Sequence, residues 1–162
     1  MPAAILSALE AVSGLRLDLK WPNDLFWQGR KLCGVLIDAR GNPADRYLIG
    51  VGINVNRGRF PPELSDLATS LALATGEEFD REELVLAIAC SIDAALTSLT
   101  NGDIAELETL FADRLGCLGK LVHLRGEGID AKGRLSAITF AKVSLDDGHS
   151  YALAHITGMT RN

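Results

Sequence analysis

Apolar residues recur at helical spacing from the start of the chain, at Ile5, Ala8, Leu9 and Val12, and Gly14 follows where a helix stop is expected, so residues 3–13 read as a helix. The period then changes. Leu15, Leu17 and Leu19 alternate with Arg16, Asp18 and Lys20, the pattern of a half-buried strand, which must end at Trp21-Pro22 because proline cannot donate to a ladder. Residues 25–27 read as a short strand and Gln28-Gly29 as a turn. Residues 32–39 form the next strand, with Val35-Leu36-Ile37 continuous enough to be buried on both faces. Gly41-Asn42-Pro43 is a loop by composition, and residues 47–55 form a further strand. That strand holds Gly50, Gly52 and Asn54, and glycines inside a strand imply that something approaches the backbone closely.

A loop follows over 56–62 with two arginines and Phe60, and Leu64, Leu67, Ala68 and Leu71 then predict a short helix closed near Gly76. Asp80 through Glu83 has the spacing of a capping box and opens a long helix whose stripe is Leu84, Ile88, Ile92, Ala95 and Leu99. Another helix covers 103–115, with Ile104, Leu107, Leu110 and Phe111 inward and Gly116 as its stop. From Cys117 the apolar runs shorten. Residues 120–125, 133–140, 142–145 and 150–156 read as strands divided by glycine-bearing turns, the pattern of an appended small barrel.

A length of 162 residues suits one domain or one domain with a small appendage, and is enough to bury a core without staples. No run approaches the roughly 20 apolar residues of a membrane span, and no secretory leader is recognisable, so a cytoplasmic protein away from membranes is expected. Cys33, Cys90 and Cys117 are far apart and lack a Cys-x-x-Cys pair, which points to buried thiols rather than a zinc cage or a disulfide framework. The net charge of −5 argues against a nucleic-acid-coating surface. It is unevenly spread, at +3 over residues 1–60, −10 over 61–116 and +2 over 117–162. The positive part suits a small anion such as a nucleotide.

Candidate chemistry lies in that positive part. Lys20, Asn23, Asp24 and Lys31 are brought together by a hairpin, in the region that also holds both tryptophans, Trp21 and Trp27. Asn23-Asp24 after Pro22 is equally the signature of a plain Asx turn. A lysine in a dry site can neutralise charge developing on phosphate or acyl oxygens. Asn54 within a strand needs a partner for its amide, from the core or from a ligand. The stretch from Gly50 to Asn56 is not a dinucleotide glycine loop, since Val55 occupies the third glycine position and no helix follows at once. His123, His149 and His155 match no metal-ligand spacing and read as surface residues.

Lys20-Trp21-Pro22-Asn23-Asp24, then Arg30-Lys31-Leu32-Cys33-Gly34-Val35-Leu36-Ile37, then the run from Gly50 to Asn56, resemble in order and spacing the middle and late motifs of biotin protein ligases. Ala68-Thr69-Ser70-Leu71, the Leu118-Gly119-Lys120 junction and the terminal strands fit the same pattern. The resemblance implies an α+β fold: a mixed β-sheet with packed helices, class II synthetase-like and lacking its N-terminal part, over 1–116, followed by a small SH3-like β-barrel over 117–162. It implies a ligase that makes biotinyl-adenylate from biotin and MgATP and passes biotin to a lysine of a biotin carboxyl-carrier protein. By position Lys31 matches the catalytic lysine that contacts the biotin carboxyl and phosphate oxygens. Gly34 and Leu36 match the biotin pocket, Asn23, Asp24 and Asn54 the nucleotide side with Lys20 nearby, and the loop after Asn56 the segment that closes over adenine. The family's Gly/Arg-rich loop and first strands would stand upstream, so the chain is expected to begin inside the helix that follows them; little adenylation by these residues alone and self-association through unpaired strands are expected to follow. A non-catalytic remnant that binds a partner or adenylate is the alternative. No DNA-binding helix-turn-helix pattern occurs in the sequence.

Overall fold

The computed structural model describes residues 1–39 and 47–161. The loop expected at Gly41-Asn42-Pro43 lies outside the described residues. Helix α1 (Pro2–Ser13) opens the chain, with Gly14 as its left-handed stop. A hairpin unit follows: β1 (Asp18–Lys20), β2 (Asp24–Trp27), β3 (Arg30–Ala39) and β4 (Tyr47–Ile53), paired in the order β1-β2-β3-β4. The α+β class is as expected, but all these pairings are antiparallel, and among the described residues the parallel character of a mixed sheet enters only as an isolated bridge between Lys31 and Ala68. The β2–β3 turn places Gln28 at φ 47° and Gly29 at φ 78°, the double left-handed geometry that suits a two-residue hairpin.

One face of this sheet presents Leu19, Leu25, Leu32, Cys33 and Val35, all buried, to helices that include α1 with Ile5, Leu6 and Leu9. Burial of such side chains contributes on the order of 2 kcal/mol each. Among the described residues, the opposite face has no helix layer. The expectation of a strand covered on both sides fails beyond Val35, since Leu36 is 66% and Ile37 47% exposed and Leu48 on β4 is exposed as well.

Helix α2 is shorter and later than the apolar spacing suggested. It runs Leu71–Thr75 with Ser70 as a hydroxyl N-cap, while Leu64 and Leu67 are exposed on the preceding turns. Helix α3 (Arg81–Asn101) begins as expected, the Asp80 carboxylate accepting from Glu82 N and Glu83 N. Leu84, Ile88 and Ala95 are buried, but Leu99 at the far end is exposed. Helix α3 has 21 residues, and its most apolar 18-residue stretch, of mean hydropathy 1.6, is long and apolar enough to match a membrane span, contrary to the expectation from residue runs; here its inner stripe packs into the core beside α1. Helix α4 (Ala105–Leu115) ends at Gly116. Its Arg114 guanidinium, almost buried, bonds Glu10 at 2.8 Å and Asp113 at 2.9 Å, and Glu10 in turn accepts from Leu17 N. This ties three elements together.

The C-terminal residues form a second antiparallel sheet of β5 (Leu121–Gly126), β6 (Ile129–Ile138), β7 (Lys142–Leu145), β8 (Ser150–Ala152) and β9 (Ile156–Arg161), ordered β8-β7-β6-β5-β9. The run expected over 150–156 is therefore two strands, separated by a 3-10 turn at Leu153–His155. Strand β6 pairs with β5 through its first half and with β7 through its second, with an irregularity between Leu135 and Ala137 that bends it. Phe111 of α4 meets Phe140 edge-on at 5.6 Å, and Phe140 N donates to Glu108, so the second sheet is seated on α4.

Candidate functional site

Strand parity alone would send Lys31 and Gly34 to opposite faces. The register shift opposite Leu25 and Phe26 prevents this: Leu25 pairs with Cys33 while Phe26 pairs with Lys31, so Leu32 and Cys33 both turn into the core. A bulge of this kind re-aims side chains, and here it returns Lys31 and Gly34 to the same open face. Asp24 pairs directly with Gly34 across the strands, and its Oδ1 lies 2.7 Å from the Lys31 ammonium. The pair sits above the bare Cα of Gly34, where a Cβ would stand 3.2 Å from Asp24 Oδ1 and 3.3 Å from Lys31 Cε and Nζ.

Gly34 continues across the sheet to Gly52, and Leu36 to Gly50. These glycines floor an open cleft whose lining includes Asn23, Asp24, Lys31 and Leu36. A Cβ at Gly50 or Gly52 would make only ordinary contacts, with Leu36 and the Gly34 carbonyl. Their missing side chains are not required by packing within the chain and leave room above the strands.

The proposed site residues divide into those gathered here and those placed elsewhere. Asp24, Lys31, Gly34 and Leu36 are gathered on the cleft face. Asn23 lines it too, but its side-chain amide donates to Val35 O while its own carbonyl accepts Val35 N at 3.0 Å, so it fastens the Trp21-Pro22-Asn23 turn to β3. Asn54 is not among the residues lining the cleft; it follows the end of β4, its backbone N–H donating to Leu32 O and its carbonyl accepting from Leu71 N. Lys20 does not join the cluster. Its ammonium lies 5.1 Å from the Phe26 ring centroid, and it lines a separate groove of about 460 Å³ with Trp21, Arg114 and Arg161. The Trp21 indole N–H is buried there and finds no hydrogen-bond partner among the described residues.

The bulge was missed by sequence reasoning, although two consecutive apolar residues between Lys31 and Gly34 are its trace. Also missed was the clamp on the lysine's backbone: Lys31 N donates to Leu67 O at 2.8 Å and Thr69 N donates to Lys31 O at 2.9 Å. The loop over 56–70 is thereby attached to the site. Within it Arg57 stacks 4.9 Å from Phe60, and Ser70 Oγ donates to Arg57 O.

Behind the cleft, burial pushes the Cys33 thiol up to about 12, the Asp24 carboxylate acting in the same direction and Lys31 against it. The thiol stays neutral until the pH nears that value. Cys90, on the outer side of α3, is exposed rather than buried as the sequence suggested, so maleimide at pH 8 is expected to label it and to spare Cys33 in the folded protein, as read by peptide mass mapping; ready labelling of Cys33 would contradict its burial. Two of the histidines pair with carboxylates rather than cluster, His123 with Asp130 and His149 with Asp147 at 3.1 Å; the His123 imidazole, by hydrogen bond and charge, holds the Asp130 carboxyl below the ordinary range, and the backbone N–H of His149, ahead of its imidazole, does the same for Asp147. Among the described residues no group of metal-ligating side chains occurs.

Residues 2–54 match the model of the biotin/lipoate A/B protein ligase family. The bifunctional ligase/repressor BirA of Bacillus spizizenii is 42% identical over 86 residues, a match covering 51% of this chain and 26% of that protein. The match thus spans about a quarter of that relative's length. A biotin–[acetyl-CoA-carboxylase] ligase of Paracoccus denitrificans is 29% identical over 148 residues, covering 82% of this chain and 62% of the relative. Among solved structures, the biotin protein ligase of Aquifex aeolicus in complex with biotin and ATP superposes with a TM-score of 0.80 at 28% identity, over 99% of this chain and 71% of that one.

Proposed function

We propose that this chain works as the biotin protein ligases it resembles do, and that its open cleft holds biotin and ATP during formation of biotinyl-adenylate. The observation that carries the reading is a lysine ammonium held by a carboxylate above glycine-floored strands. In this reading a biotin carboxylate oxygen attacks the α-phosphorus of ATP and pyrophosphate leaves. A lysine amine of a biotin carboxyl-carrier protein then attacks the acyl carbon, and AMP leaves. Lys31 neutralises the carboxylate and phosphate oxygens that crowd together in the first step. Leu36, with the bare strands at Gly50 and Gly52, receives the apolar part of biotin. Asn54 and the backbone at Asn23 border the nucleotide, and the 56–66 loop covers it. Lys20 acts from the neighbouring groove rather than on the reacting atoms.

Mg²⁺ fits as a companion of the nucleotide, since such ions need only one or two carboxylates beside substrate phosphates. Asp24 is the carboxylate that lines the cleft and would hold it, where the ion would offset phosphate charge.

We divide the chain into a catalytic part over 1–116 and a small SH3-like barrel over 117–162, the latter supported by the bent β6 strand. The reading carries a cytoplasmic location, no nucleic-acid role and no membrane attachment. Exposed Leu36, Ile37 and Leu48 favour association of copies at high concentration, and monomers throughout in light scattering would refute this. Calorimetric titration of the chain with biotinyl-5′-adenylate tests the main reading. One-to-one binding supports it, and a folded protein that binds none overturns it. A binding module without chemistry is the second reading. Biotin-dependent ATP–pyrophosphate exchange by the chain would exclude it.

A further inference from the structure

We propose that Gly34 is a positioning residue for Lys31, its missing side chain being what allows the ammonium to lie across β3 onto Asp24. For its ligand, the proposal rests on the biotinyl-adenylate reading above. Three features of the chain act together. The bulge at Leu32 and Cys33 delivers Lys31 to the face of Gly34. The cross-strand register sets Asp24 beside Gly34. The space where a Cβ would stand at Gly34 is bounded by Asp24 Oδ1 at 3.2 Å and by Lys31 Cε and Nζ at 3.3 Å.

Those distances are tighter than ordinary carbon contacts, so a methyl group at position 34 must displace the carboxylate, the ammonium, or both. Both are ends of side chains that can move. The fold therefore accommodates the change, while the charge that faces the cleft shifts. Gly52, the cross-strand neighbour of Gly34, shows the contrast: its Cβ would come no nearer than 3.9 Å to the Gly34 carbonyl and would touch neither charged group. Glycine at 52 leaves space for a ligand. Glycine at 34 leaves space for the chain's own lysine.

The pairing can be read without any ligand. Acetic anhydride labels amines according to their freedom and nucleophilicity, and an ammonium ion-paired to a carboxylate is protected. Limited labelling of the full chain followed by mass mapping should show Lys31 acetylated several-fold faster in Gly34→Ala and in Asp24→Asn than in the parent, with Gly52→Ala unchanged. Equal rates at Lys31 in the parent and in Gly34→Ala would overturn the proposal. The binding arm is a double-mutant cycle with biotinyl-5′-adenylate in the calorimeter. Gly34→Ala should weaken binding about tenfold when Lys31 is present and have little further effect in Lys31→Ala, because the two changes share one interaction. The same loss in both backgrounds would show that Gly34 acts independently of Lys31 and would overturn the proposal. If the parent binds no adenylate, the ligand reading fails and the labelling result still decides the role of Gly34. Circular dichroism of each variant verifies that the compared proteins are folded.

Discussion

Lys31→Ala is expected, in an assembly complemented with the family's Gly/Arg-rich loop, to lower biotin-dependent ATP–pyrophosphate exchange by about 100- to 1,000-fold, the usual loss when one preorganised charge donor is removed from a transition state. Affinity for biotinyl-5′-adenylate should fall less, by about 10- to 100-fold, as for a lost charge-assisted hydrogen bond. The melting temperature should hardly move, because the side chain is 45% exposed and its ion pair faces the cleft. The split between exchange and binding is informative. A lysine serving only as a surface charge would change neither, and one that served only as an anchor would change both equally. Exchange kinetics and calorimetry on the same preparation check this, and unchanged turnover would dismiss the assigned role.

The largest effect on stability is expected at Gly126→Ala. An added Cβ would lie 1.8 Å from the carbonyl oxygen of His155 and 3.0 Å from its carbonyl carbon, where backbone, not a flexible side chain, would have to yield. Gly126 ends β5 and faces the point where the chain enters β9, next to an irregularity in their pairing. Relief requires β9 to separate from β5, so the loss should reach about 3 kcal/mol or more, at the upper end of overpacking effects. Urea denaturation followed by far-UV circular dichroism would measure it. By contrast, Gly128→Ala lies in open space and should show only the smaller cost of its φ of 70°. Similar midpoints for the two variants would contradict the close approach.

How far the sequence revealed this molecule depends on whether a signal was local. Asp80 and its helix were legible because a carboxylate cap and the amides it receives are neighbours in the chain. Gly14 and Gly116 were legible for the same reason: a helix stop needs a left-handed residue at one position. The covering of Val35-Leu36-Ile37 was not, because an uninterrupted apolar run looks the same whether one face is packed or both. The helix expected around Leu64 and Leu67 failed similarly. Its apolar spacing was real, but the chain there forms turns whose amides go to the preceding carbonyls and to Lys31.

At the site, the identities of Lys31, Asp24 and Gly34 could be read as a motif, whereas the device that gathers them could not. Alternation counted along β3 gives the wrong face for Lys31, and only the pairing with β2 reveals the extra residue. Lys20 illustrates the reverse case. Proximity in sequence put it with Asp24, yet the open face of Phe26 gives its ammonium a different resting place.

Two backbone hydrogen bonds hold residue 31 between Leu67 and Thr69. A force that draws the preceding segment inward must either break those bonds or carry the lysine's main chain with it. Under the proposed function, covering the nucleotide and aiming the ammonium would thus be a single mechanical event, and loosening the tether would blunt the chemistry without altering any charged group.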